Sequence, residues 1–265
     1  MTLEVLICTN GIEGINRVSL MNLPQVDGVK YLVSWQTELC NPIIPQELLR
    51  DDINVIPLSG KGLSNNRNHS IKHATGDICL IADDDLSYEA HQLQAVVDTF
   101  RNNPKVEIAL FKHNGDDNKW YPDFEFDLTS MPRGYYITSF EIAFRRELVV
   151  GKVLFDPRLG AGTNLPAGEE SVFINDAIKI GLSCRFFPIT IAHHNGLPTG
   201  ARKWTTDVLK ANGVYLFIVH KYSALLRVVL IACRLSRQGK AKLIPAMFHM
   251  ISGYIYGNQC FRNHL

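Results

Sequence analysis

The first informative features of this chain are absences. Its 265 residues carry a net charge of only +1, so no overall excess of one sign marks it for nucleic acid, and no nucleic-acid partner is expected. Its six cysteines (Cys8, Cys40, Cys79, Cys184, Cys233, Cys260) form no CxxC pair, which argues against a zinc ribbon. Cys8, Cys79 and Cys184 lie in apolar runs and read as buried, reduced thiols, which suits a reducing compartment. The opening MTLEVLICTNG has no basic stretch and no cleavage site, so no secretory signal is expected. No internal repeat or low-complexity tract is present. What remains is an ordinary globular composition, 46% hydrophobic and 20% charged, long enough to bury a full core.

The even net charge hides a division. Residues 200–265 hold ten Lys and Arg against one acid, Asp207, a local net of +9, and the remainder carries −8. The pattern is an acidic body followed by a basic tail that seeks an anionic surface. Within the body, apolar runs at Leu3–Thr9, Lys30–Trp35, Ile53–Pro57, Asp77–Ala82 and Val106–Phe111 read as strands. Helical patterns lie between them at Ile12–Met21, Asn65–Ala74 and Tyr88–Arg101. Ser64 is the expected N-cap of the second helix and Gly76 its stop. Such alternation predicts β-α-β units and a mainly parallel sheet, with ligands beyond the carboxyl ends of the strands. Further on, residues 113–134 read as a loop, Tyr135–Phe144 as a strand, Gly168–Gly181 as a helix and Cys184–Ala192 as a last strand.

The fourth strand runs straight into Asp83, Asp84 and Asp85. At about 6 Å and an effective dielectric of about 20, each neighbouring pair repels by roughly 3 kcal/mol. Extended backbone points alternate side chains the same way, so Asp83 and Asp85 should face one side and Asp84 the other. A D-x-D pair can chelate a hard divalent cation, Mg2+ or Mn2+, which offsets the repulsion and neutralises a substrate diphosphate.

Two blocks make the pattern specific. GLSNNRNHSIKHATGDICLIADDDLS (Gly62–Ser87) resembles the central segment of family 2 glycosyltransferases. Gly62, Ser64, Arg67, Asn68, Ala74, Gly76, Asp77, Asp83 and Asp85 are in register with it, and Asn66 stands where a small residue is usual. Gly151–Leu182 resembles the family's acceptor-side segment through Phe155, Asp156, Gly160, Gly162 and Gly168-Glu169-Glu170, with Glu170 replacing an aspartate. The resemblance spans about residues 1–195. It implies an α/β chain of the GT-A fold, Rossmann-like with a mainly parallel central sheet.

The resemblance also implies a chemistry: transfer of a sugar, usually with inversion, from a nucleotide-diphosphate donor, here expected to be a UDP-sugar, to an acceptor hydroxyl. It implies a donor contact at Asp83 and a Mn2+ or Mg2+ ligand at Asp85, joined by His193 or His194 beyond the last strand, while Asp84, grouped with the donor-side residues, is expected to point elsewhere and to bind local backbone or tune the site. Glu170 falls in the position of the base that takes the acceptor's proton, with Glu169 beside it. Two acids at a helix start equally suit the helix dipole. Ser64, Arg67 and Asn68 would meet the donor's phosphates at a helix N-terminus, or Ser64 is a simple cap. Thr9 would line the base pocket. The sequence departs from the family there, having Cys8-Thr9-Asn10-Gly11 with no aromatic residue to stack on a base. Gln36 or Glu38 would replace the usual paired aspartates of the second strand end.

Three other readings share features. Asp83–Ser87 fits the D-x-D-x-S of haloacid dehalogenase-like phosphatases, but on the fourth strand rather than the first, and the acids after residue 170, Asp176 and Asp207, are isolated. A sugar nucleotidyltransferase would need a Gly-rich basic N-terminal loop, which is missing. A non-catalytic nucleotide-sugar-binding or scaffold protein would have Glu169 and Glu170 pointing away from the metal site.

After residue 200 the character changes. Val214–Leu235 is nearly all apolar, but His220, Lys221 and Arg227 interrupt it, so it makes a poor spanning helix. Leu243–Tyr256 is short for a span. Both fit helices lying in a membrane interface or packed against the core or a partner. The expected organisation is a transferase domain over 1–200 and a basic, amphipathic helical extension over 201–265. The enzyme is expected in the cytoplasm, peripheral on the inner face of the cell membrane, with a lipid-linked or oligosaccharide acceptor.

Overall fold

A computed structural model describes residues 1–115, 119–194 and 204–261. In chain order the elements are β1 (Leu3–Asn10), α1 (Gly11–Ser19), β2 (Val29–Gln36), β3 (Ile53–Leu58), α2 (Leu63–His73), β4 (Ile78–Asp83), β5 (Leu86–Ser87), α3 (Ala90–Asn102) and β6 (Ile108–Gly115). After these come β7 (Phe126–Asp127), β8 (Ile142–Arg145), α4 (Arg146–Val149), α5 (Glu169–Lys179), β9 (Cys184–His194), α6 (Thr206–His220), α7 (Ala224–Arg237) and α8 (Leu243–Cys260). The chain divides into two compact units. One comprises Met1–Lys61, Asn65–Leu154 and Ala177–Pro198; the other Gly62–Ser64, Phe155–Asp176 and Thr199–Leu265.

The first unit is built on one mixed sheet in the order β3-β2-β1-β4-β8-β6-β9-β5, with β7 also paired to β9. β3, β2, β1 and β4 are mutually parallel, and β6 is parallel to β9. β8 is antiparallel to both β4 and β6, so it alone of the central strands is reversed. The parallel strands are buried on both faces. Leu3 to Thr9 is buried throughout, as is Ile78 to Ala82, which explains runs without polar alternation. The register pairs Cys8 with Asp83 and Asn10 with Gln36, so the polar residues that follow the apolar runs share one edge.

Three elements differ from the sequence expectation. The strand expected over Tyr135–Phe144 is confined to Ile142–Arg145, and a 3-10 turn over Ser139–Glu141 precedes it. Tyr135 and Ile137 are nevertheless buried, so their apolar character reflects packing rather than pairing. Ser64 does not cap its helix. The helix begins at Leu63, and the Ser64 hydroxyl donates to the Leu159 carbonyl at 2.7 Å. The third difference lies in the tail.

The second unit is helical. α6 is N-capped by Thr205, whose hydroxyl accepts from the Val208 amide, and it packs closely on α8. The approach depends on glycine. A Cβ at Gly213 would lie 2.0 Å from the Met250 carbonyl oxygen, and one at Gly253 would lie 2.0 Å from that of Lys210. Thr206–Arg237 is long and apolar enough to cross a membrane by length and composition. It is not one helix. A 3-10 turn at Lys221–Ser223 breaks it, with Lys221 at φ +26°, and the polar His220-Lys221 pair supplies the interruption. Val214, Leu216, Phe217 and Ile218 of α6 are buried among their own unit's helices.

Candidate functional site

The three carboxylates after β4 persist together because each has a different partner. Asp83 Oδ1 accepts from the Arg67 guanidinium at 3.0 Å, and Arg67, on α2, is 1% exposed. Asp84 turns the other way. It accepts from the Thr9 hydroxyl at the end of β1 and from two nitrogens of Arg17 on α1, at 3.1 and 2.9 Å. Asp85 Oδ2 lies 3.2 Å from His194 Nε2 at the end of β9. Arg17, one turn from the end of α1, was missed in the sequence because nothing local ties it to a residue 67 positions on.

The Asp85–His194 pair is not saturated. Among the described residues, Asp85 Oδ1, His194 Nδ1 and the Tyr88 hydroxyl are buried without a hydrogen-bond partner. Burial, reinforced by the neighbouring Asp83 charge, pushes the Asp85 carboxyl above the usual carboxylate range. A half-buried carboxylate and a buried imidazole with open valences fit a divalent cation. Among the described residues no three His, Cys, Asp or Glu side chains form a metal cluster. Among the described residues the site offers Asp85 and His194, and substrate oxygens and water would complete the shell, as is common for Mg2+. His193 does not join the pair: strand alternation leaves it exposed while His194 is buried.

The expected base-side residues surround a cavity of about 330 Å³ lined by Asn10, Gly11, Ile12, Gln36, Thr37, Glu38, Leu39, Gly60 and Lys61. Gln36 donates to the Gly60 carbonyl at 3.3 Å, and the Trp35 indole donates to the Gly11 carbonyl at 2.9 Å, fixing two walls. Thr9 does not line this cavity; it is buried against Asp84. Asn66, the departure noted in α2, donates to the Thr9 carbonyl at 2.9 Å and ties that helix to β1. Asn68 is half-buried on α2.

Glu169 and Glu170 open α5, and their surroundings in the second unit differ. Glu169 is buried, and its carboxyl carbon would lie 3.1 Å from a Cβ at Gly160, a position held at φ +98°. The same Cβ would meet the Ser64 hydroxyl at 3.0 Å, so Ser64, Gly160 and Glu169 are neighbours. Glu170 is half-buried, and its charge is felt at Tyr215, whose hydroxyl is pushed up mainly by burial.

Residues 36–151 match glycosyl transferase family 2. The match covers the helix–strand–carboxylate block on which the resemblance rested, and it ends before the Glu169-Glu170 segment. No curated protein matches the chain. Among solved structures, S. aureus TarS is similar with a TM-score of 0.54 at 15% identity, covering 89% of this chain and 44% of TarS. This chain thus spans less than half the length of that protein. S. aureus TarS 1–349 in complex with UDP-GlcNAc gives 0.54 at 17% identity, covering 82% and 67%. The mannosyltransferase PcManGT from Pyrobaculum calidifontis, in complex with GDP-Man and Mn2+, gives 0.55 at 14%, covering 97% and 86%. At such identities the likeness speaks for the fold, which is GT-A-like with a helical C-terminal region, as the sequence pattern led one to expect.

Proposed function

We propose that this protein is an inverting glycosyltransferase that moves a sugar from a nucleotide-diphosphate donor, a UDP-sugar first, to an acceptor hydroxyl in polysaccharide or glycolipid synthesis. The observation that carries the proposal is the Asp85–His194 pair, His194 buried and Asp85 half-buried, with open valences on both side chains, beside an Arg67-held Asp83 at the carboxyl edge of the sheet. Donor-bound relatives of the fold support the donor class.

In this reading Asp85 and His194 hold Mn2+ or Mg2+. When bound, the ion would neutralise charge developing on the leaving diphosphate. His193, exposed, is left without a ligand role. Asp83, its carboxylate fixed by Arg67, accepts hydrogen bonds from ribose or sugar hydroxyls. Gln36 and Glu38 present an amide and a carboxylate to the base. Asp84 acts by holding Thr9 and Arg17 rather than by touching the donor. Ser64, with its hydroxyl bonded to Leu159, orders the loop at the start of α2. Glu170 takes the acceptor's proton as its oxygen attacks the anomeric carbon. Glu169, buried against the Gly160 turn, supports that loop.

We place the work of transfer in residues 1–200 and of attachment in 201–265. α7 and α8 expose Leu226, Leu230, Ile244, Phe248 and Ile255, and the segment carries Arg227, Arg234, Arg237, Lys240 and Lys242 with no acid. That chemistry suits the anionic inner face of a membrane and a lipid-linked or oligosaccharide acceptor. The experiment is a thermal-shift screen with UDP and GDP, with and without Mn2+, followed by hydrolysis of the corresponding nucleotide sugars. Metal-dependent stabilisation and turnover are expected. Stabilisation without turnover of any sugar nucleotide would make the protein a binding module, and no stabilisation by either nucleotide would sink the enzyme reading.

A further inference from the structure

Ser139, Phe140 and Glu141 form one 3-10 turn, and each side chain reaches a different part of the first unit. Ser139 Oγ accepts from Arg67 at 2.6 Å, from the same nitrogen that donates to Asp83 at 3.0 Å. The Phe140 ring lies parallel to the His194 imidazole, with an interplanar angle of 3° and centroids 5.6 Å apart, an offset stack. His113 meets the same phenyl ring nearly edge-on at 4.8 Å. Glu141 is fully buried. It accepts from Lys119 Nζ at 2.6 Å and from the Tyr121 hydroxyl, and its Oε1 lies 2.8 Å from His113 Nδ1. Lys119 also donates to the Thr138 hydroxyl at 2.7 Å and sits against the rings of Tyr121, Tyr135 and Tyr136.

A buried ion pair is a poor way to gain stability, since apolar side chains of similar volume do as well or better. What this cluster supplies is a fixed turn. A metal-binding histidine is ordinarily oriented by a hydrogen bond from its second ring nitrogen. His194 Nδ1 has no such partner among the described residues. Among the described residues the planar contact on its ring is that of Phe140, with His113 as a second aromatic neighbour at 6.2 Å.

We propose that Phe140 is a positioning residue that holds the His194 imidazole in line with Asp85, in place of the missing second-nitrogen hydrogen bond. The Glu141–Lys119–His113–Tyr121 cluster anchors the turn, and Ser139 ties the same turn to Arg67 and Asp83. The donor-contacting carboxylate and the metal-side histidine are thereby set by three consecutive residues. This inference rests on the donor-site reading given above.

The test is Mn2+ titration by electron paramagnetic resonance, in the presence of UDP and of GDP, on the full chain and on Phe140→Leu and Phe140→Tyr. Loss of an orienting group behind a metal ligand weakens metal binding about 10-fold or more, so Phe140→Leu should raise the Mn2+ dissociation constant by about that factor. Phe140→Tyr, which keeps the ring face, should restore it. If the leucine variant does not fold, Phe140→Met, whose unbranched side chain adapts to an irregular gap, lacks the ring and reads the same quantity. Equal Mn2+ affinity in the parent and the ringless variants overturns the positioning role while leaving the donor site standing. Absence of Mn2+ binding in the parent chain with either nucleotide removes the donor site and this inference together.

Discussion

The two units treat charge in opposite ways. In the first, several ionised groups lie inside and are answered: Arg67 by Asp83 and Ser139, Glu141 by Lys119, and the partly buried Asp84 by the exposed Arg17. In the second, the cations of α7 and the loop after it are at the surface, and so are large apolar side chains such as Leu226 and Phe248. Charges that are costly to bury are retained where geometry must be fixed. Apolar groups that are costly to expose are retained where something else must be met. We propose that donor chemistry belongs to the first unit and attachment to α7 and α8 of the second, with the base Glu170 as the exception.

The sharpest way to break that contrast is at Glu170, which would put chemistry in the helical unit. Glu170→Gln should lower kcat for transfer about 10³-fold, the range of a lost general base, with little change in unfolding temperature. Glu169→Gln should act mainly on stability. A larger kcat loss in the Glu169 variant would exchange their roles. Next is the α6–α8 crossing. Gly213→Ala puts a methyl against the Met250 carbonyl and should cost about 1–3 kcal/mol by denaturant unfolding. An unchanged midpoint would mean that the helices can separate freely.

Leu226→Glu tests the exposed face. Binding to vesicles containing phosphatidylglycerol should fall by about 10-fold, with folding stability within about 0.5 kcal/mol of the parent. Equal vesicle binding would leave α7 with no role in attachment. The smallest effect is at His220, whose imidazole burial lowers from 6.5 to about 4, with Arg227 adding to the shift. Below pH 6.5 the unfolded chain takes a proton that the folded one refuses until about pH 4. Stability is therefore full above 6.5 and declines across that window. His220→Gln should flatten that part of the pH–stability profile, and an unchanged slope would assign it to other groups.

The elements whose signals are local were legible in the sequence. Apolar runs ending at Thr9, Trp35 and Ala82 marked the parallel strands, and Leu93, Val96, Val97 and Phe100 marked the buried face of α3. The carboxylate run announced the site, and the separation of Asp84 from its two neighbours followed from alternation. Long-range pairing was not legible. The insertion of reversed β8 between β4 and β6 has no local signature, because three apolar residues and an arginine look alike in either direction. Of the Lys119–Glu141 pair, Lys119 lies in the stretch that reads as loop and Glu141 in the expected strand, and a charge caged by tyrosines resembles solvated surface until the partners are seen. His193 and His194 were indistinguishable by type, and only the pleat of β9 separates them. The residues beyond His194, through Lys203, lie outside the described residues.

The central claim is that Asp85 and His194 form the metal side of a sugar-nucleotide site. The most direct measurement is the initial rate of UDP- or GDP-sugar turnover against Mn2+ concentration, in the full chain and in Asp85→Asn. The parent should show saturable metal dependence, and Asp85→Asn should lose about 10³-fold in rate, because a Lewis acid at the diphosphate contributes several kcal/mol. A parent whose turnover ignores the metal, or an Asp85→Asn protein that turns over sugar nucleotide at the parent rate, would contradict the account.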